Sequence, residues 1–83
     1  MNDVEGIRKI LRDALQLGTR ADALTGSSRL LGGIPEFDSM AVVSVIGMIE
    51  EEYGIVVDDD EVSADVFETL DSLASFVAGK VGR

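Results

Sequence analysis

Apolar residues in this chain recur at helical rather than strand spacing. Val4, Ile7, Leu11, Ala14 and Leu15 fall three and four apart, which puts one apolar stripe on a helix from about Asp3 to Leu17. Asp3 or Asn2 suits the start of that helix and Gly18 its end. From Gly18 to Phe37 the period disappears. Gly26, Ser27, Ser28, Gly32, Gly33 and the single proline, Pro35, mark a loop, and Leu24, Leu30, Leu31 and Ile34 give it apolar anchors. A loop this long in so small a domain is expected to be functional or partly helical.

Asp38 is a good N-cap and Gly54 a good stop, so a second helix is predicted from about Ser39 to Tyr53. Val42, Val43, Ile46, Ile49 and Tyr53 form its predicted core side. Met40, Ser44, Gly47, Met48 and Glu51 share the other side, which is not properly polar. Ile55, Val56 and Val57 look locally like a strand but have no partner strand, and read as a loop dropping into the core. Asp58, Asp59, Asp60 and Glu61 crowd the start of a short third helix, about Glu61 to Phe67, where acids suit the helix dipole. A last helix runs from about Asp71 or Ser72 to Val81, with Leu73, Phe76, Val77 and Val81 as its stripe. The expected fold is all-α: a four-helix bundle, one domain over residues 1–83, with a long loop between the first two helices and a short third helix.

Composition narrows what such a bundle does. With 83 residues and no cysteine, stability rests on packed helices, without disulfides or thiolate metal sites. The net charge of −9 argues against nucleic acid and anionic membranes. It favours solubility and basic protein partners. Between Arg29 and Lys80 there is no Lys or Arg, so every acid from Glu36 to Asp71 is uncompensated in sequence: a solvated face or an electrostatic docking surface. No apolar run is long enough to span a bilayer. Met1-Asn2-Asp3 does not open a signal peptide, so a cytoplasmic protein is expected. No seam suggests assembly, and a monomer is expected.

Enzyme chemistry has little to work with. The chain has no histidine and no cysteine, so neither a Ser-His-Asp site nor an imidazole or thiolate zinc site can be assembled. There is no glycine-rich phosphate loop. The run Asp58-Asp59-Asp60-Glu61 fails as a calcium loop, because positions six and twelve counted from Asp58 are Ser63 and Thr69 rather than glycine and glutamate. No catalytic residue and no metal ligand is assigned.

Ser39 remains. By local pattern Asp38-Ser39 is an ordinary helix start. The position nevertheless offers an exposed hydroxyl beside backbone N–H groups that lack intrahelical partners, at the helix end that suits a phosphodiester. Activation need not come from this chain, since a transferring enzyme can supply the base and metal.

Four segments in order give the chain a family resemblance over essentially its whole length. A long first helix and long loop lead to Asp38-Ser39-Met40. Ile49-Glu50-Glu51-Glu52-Tyr53-Gly54-Ile55 then closes the second helix, and Asp65-Val66-Phe67-Glu68-Thr69-Leu70-Asp71-Ser72-Leu73 crosses into the last one. The chain resembles the acyl carrier protein family. Leu31 to Val43, together with Val57 to Glu61, is similar to carriers found beside acyl-ligase-like enzymes in exosortase-associated bacterial gene sets.

The resemblance implies a free-standing carrier whose Ser39, with Asp38 as signature and cap, accepts 4′-phosphopantetheine from coenzyme A. A magnesium-dependent phosphopantetheinyl transferase would attach it. The reactive thiol would then sit on the arm and hold acyl groups as thioesters for acyl-ligase or synthase/transferase enzymes. Two departures stand out: Phe37 replaces the glycine usual before Asp-Ser, and Ala41 and Ser44 stand where fatty-acid carriers are often acidic.

The expected partner face is therefore Met40, Ala41, Ser44, Gly47, Met48 and Glu51, more apolar than acidic. Val43, Ile46, Ile49, Ile55, Phe67 and Leu73 are candidates to line an acyl cavity or simply to form the core. The competing readings are a peptidyl or aminoacyl carrier, and an unmodified acidic adaptor that binds a partner through the second helix.

Overall fold

The computed structural model describes residues 3–82. Three α-helices carry the structure: α1 (Val4–Leu15), α2 (Ser39–Tyr53) and α3 (Leu70–Val81). Each has a local reason to start and stop where it does. The Asp3 carboxylate accepts from the Gly6 amide to open α1; Asn2, the alternative cap, lies outside the described residues. α1 closes two residues earlier than expected, because Gln16 already adopts the left-handed conformation and its N–H bonds to the Arg12 carbonyl. Asp38 and Gly54 bound α2 as predicted, with Gly54 at φ 65°, the left-handed cap that glycine reaches without a Cβ penalty. Thr69 and Ser72 open α3 with a reciprocal capping box.

Packing follows from the stripes. Ile7, Ile10, Leu11 and Leu15 of α1 meet Ala41, Val45 and Ile49 of α2 and Leu70, Leu73, Ala74 and Val77 of α3 in one core. Leu17, Ala21, Leu30, Ile34, Phe37 and Phe67 extend this core into the connecting segments. Among the described residues no polar or charged side chain is buried. No helix there is long and apolar enough to cross a membrane.

The long loop is partly helical, with a 3₁₀ helix over Gly18–Ala23. Its second half is tied to the segment entering α3. Leu30 and Leu31 amides donate to the Glu68 and Phe67 carbonyls at 3.0 and 3.1 Å, and Leu70 and Asp71 amides donate to Ser28 and Gly26 at 3.1 and 2.8 Å. Gly26 packs against Asp71 there: a Cβ at that position would lie 2.3 Å from the Asp71 carboxylate, which would have to swing aside.

The all-α architecture stands, with one local correction. The third helix expected over about Glu61 to Phe67 is reduced to a 3₁₀ turn, Asp59–Glu61, followed by i to i+3 turns in which Val66, Phe67 and Glu68 donate to Ser63, Ala64 and Asp65. The Phe67 and Glu68 carbonyls are taken by the long loop, and Thr69 is extended to cap α3, so a regular helix has no room to continue. The expected inward loop Ile55-Val56-Val57 alternates instead: Ile55 and Val57 are half-buried and Val56 faces solvent. Glu50 fixes that turn by accepting from the Val57 amide at 2.8 Å.

Candidate functional site

The start of α2 is built from the residues immediately before it. Phe37 is buried and its ring meets that of Phe67, centroid to centroid 5.6 Å at 49°. This anchors the chain one residue before the cap. Asp38 Oδ1 then accepts from the Ala41 amide at 2.9 Å, and the Asp38 carbonyl accepts from the Val42 amide at 3.0 Å. The Asp38 amide is itself satisfied by the Glu36 carbonyl. Among the described residues, the amides of Ser39 and Met40 have no protein acceptor. They are the orphan donors that a helix N-terminus leaves for an anion.

Ser39 lies among them with its side chain exposed. Among the described residues its hydroxyl meets no carboxylate or cation, and it is accessible. Upstream, the Arg20 guanidinium clasps the Glu36 carboxylate in a two-point ion pair, one contact at 2.8 Å. The pair holds the Glu36 carboxyl below its ordinary range and raises the guanidinium, the hydrogen bonds between them being the main cause in each case. No motif marks this clasp, because sixteen residues separate its partners.

The structure redistributes the residues expected along α2. Ala41, expected on the partner face, is buried at 8% exposure. Val43, expected to line an interior cavity, is 68% exposed. The buried line is Ala41, Val45 and Ile49, and Val42, Ile46 and Met48 flank it half-buried. From Met40 to Ile49 the helix is apolar on nearly every side, so periodicity alone could not choose the inward face. The structure turns inward a line containing the small Ala41.

Outward face Met40, at 75% exposure, and Val43, with Ser44, Gly47 and Glu51. Met40, Val43 and Gly47 succeed one another at helical spacing, an apolar stripe starting one residue from Ser39. Of the other cavity candidates, Ile49, Phe67 and Leu73 are buried in the close-packed core, while Ile46 and Ile55 are half-buried at its edge. One surface groove lies elsewhere, against the 3₁₀ helix of the long loop. It is lined by Leu17, Arg20, Ala23, Leu24, Gly33 and Ile34, with a volume of about 300 Å³.

At the far end of α2 the single tyrosine closes the bundle. Tyr53 donates to Asp3 Oδ2 at 2.7 Å while Oδ1 caps α1, so one carboxylate joins the start of α1 to the end of α2. Burial, followed by this bond, raises the phenol above its usual range. The same bond, with the cap, lowers the Asp3 carboxyl.

Comparison with known proteins gives this geometry a family. The family model described as "Phosphopantetheine attachment site" matches residues 5–77. The chain belongs to the acyl carrier protein family. A holo acyl carrier protein from Nitrosomonas europaea, solved in solution by NMR, is similar at 57% identity and TM-score 0.92, with all of each chain covered. Among curated proteins no relative matches. This is a carrier protein and not an enzyme. The prosthetic group of the family is 4′-phosphopantetheine. An exposed first-turn hydroxyl and two free amides fit its phosphodiester.

Proposed function

We propose that Ser39 Oγ is the attachment point of the 4′-phosphopantetheine arm, and that the chain holds acyl intermediates on it for partner enzymes. The single observation that carries this reading is the exposed Ser39 hydroxyl beside unpartnered amides at the capped start of α2. Asp38 keeps the helix start open by satisfying the Ala41 amide, which leaves the Ser39 and Met40 amides for the phosphodiester. When bound, the arm supplies a thiol that carries cargo as a thioester. The chain itself contains no cysteine to compete with that thiol.

Partners approach along the outward side of α2. Met40, Val43, Ser44, Gly47 and Glu51 present an apolar stripe ending in acid, so enzymes that read this carrier offer an apolar groove beside basic side chains. A phosphopantetheinyl transferase and an acyl-ligase or synthase/transferase enzyme are the partner classes, in the cytoplasm.

The test is intact mass after incubation with coenzyme A, magnesium and a promiscuous transferase. Wild type gains one phosphopantetheine and Ser39→Ala gains none. Failure of folded wild type to gain mass with either this enzyme or its cognate transferase would return the chain to an unmodified acidic adaptor.

A further inference from the structure

We propose that Met40 is an oxidation-sensitive modification site: conversion of its thioether to the sulfoxide by a hydroperoxide weakens partner docking at the start of α2, and reduction restores it. This rests on the carrier reading above and adds a regulation to the same site.

Exposure singles the residue out. The chain has three methionines and no cysteine, so methionine carries the only sulfur that the polypeptide offers to an oxidant. Met1 lies outside the described residues, which leaves Met40 and Met48. Met40 is 75% exposed, the most open of the large apolar side chains among the described residues. Met48 is half-buried in the crevice between α1 and α2 that Ile10 and Tyr53 also line. A hydroperoxide therefore reaches Met40 ahead of Met48.

The step needs no catalytic group from this chain. A lone pair of the Met40 sulfur attacks the terminal oxygen of the peroxide, and the S–O bond forms as the O–O bond breaks. The proton of the transferred oxygen passes to the leaving oxygen, which departs as water or an alcohol. The sulfur gives up two electrons and the peroxide takes them.

Position turns that chemistry into regulation. Met40 follows Ser39 directly and heads the outward stripe that continues with Val43, 68% exposed, and Gly47. An unbranched thioether there suits an apolar partner groove. The sulfoxide replaces it with a strong polar acceptor, and a groove that buries this acceptor without a donor loses about tenfold or more in affinity. Met40 belongs neither to the core nor to the half-buried residues packed against it, so the same oxidation leaves the fold intact.

The test oxidises the full unmodified chain with hydrogen peroxide and removes the excess with catalase. Phosphopantetheine transfer from coenzyme A is then followed with a promiscuous transferase over a range of carrier concentrations. Peptide mass should show oxygen added at Met40 before Met48. The KM for the carrier should rise about tenfold while kcat changes less than about twofold. The urea midpoint should stay within about 0.3 M of the untreated protein. Methionine sulfoxide reductase with a dithiol should bring KM back, and Met40→Gln, polar without oxidation, should reproduce the raised KM. Met40→Leu, whatever its own KM, should not change on peroxide treatment. Unchanged KM with Met40 fully oxidised, an equal peroxide effect in Met40→Leu, or oxidation of Met48 before Met40 would each overturn the proposal. Untreated, folded wild type that gains no phosphopantetheine from this or its cognate transferase would defeat the carrier reading itself, and the proposal with it.

Discussion

Truncating Phe37 to alanine removes the ring that fixes the chain one residue before the α2 cap. Phe37 is 5% exposed, so nearly its whole side chain is transferred to water or replaced by a void. Buried Phe→Ala changes cost about 3–5 kcal/mol. The contact with Phe67 at 5.6 Å accounts for about 0.5–1.5 kcal/mol of that sum. A domain of this length has only about 4–12 kcal/mol in total, so the loss is a large share of what holds the fold. Phe37→Leu keeps an apolar filler and costs about 1–2 kcal/mol.

The assay is urea unfolding followed by far-UV circular dichroism. With a slope of about 1 kcal/mol per molar, the leucine variant moves the midpoint down by about 1–2 M and the alanine variant by about 3 M or more. A double-mutant cycle with Phe67→Leu isolates the ring contact, expected at about 0.5–1.5 kcal/mol of coupling. If both Phe37 variants left the midpoint within about 0.3 M of wild type, Phe37 would not be the anchor described here.

Asp38→Ala removes the side-chain acceptor of the Ala41 amide and lowers stability by about 1 kcal/mol, read as a urea midpoint. Asp38→Asn should recover most of that loss. Tyr53 is the only tyrosine, and its phenol is raised by burial and by Asp3, so phenolate absorbance should appear above pH 10 in the folded chain and near pH 10 in urea. The associated stability is complete below the unfolded value and disappears as pH rises from there through the raised folded one. A folded midpoint at the ordinary value would refute the latch. Lys80 pairs with Glu61 at 2.8 Å, with the bond to Lys80 the main cause of the lowered Glu61 carboxyl. A lowered folded pKa gives stability above the unfolded value of about 4.3 that is lost as pH falls through the folded one. The gap between wild type and Lys80→Met should therefore be present at pH 7 and close in acid. A gap that persists unchanged to the lowest pH at which both remain folded would assign the effect to packing of the lysine stem.

By itself the sequence determined what is local. The bounds of α2 follow from Asp38 and Gly54, because capping needs one side-chain oxygen at one end and one residue tolerant of positive φ at the other. The absence of histidine and cysteine removed most enzyme chemistry, and four segments in order singled out Ser39, which by local pattern is an ordinary helix start. What the tertiary structure decided was long in range or directionless in pattern. The inward face of α2 is one case: Met40 to Ile49 is apolar nearly all round, so only packing into the common core could send Ala41 in and Val43 out. The shortened third helix is another, since carbonyls at Phe67 and Glu68 were claimed by amides of Leu31 and Leu30 nearly forty residues away. The Arg20–Glu36 clasp and the groove it borders arise from the same closure of the long loop. They carry no periodic signal, because burial and proximity there are set by the fold and not by the spacing of residues along the chain.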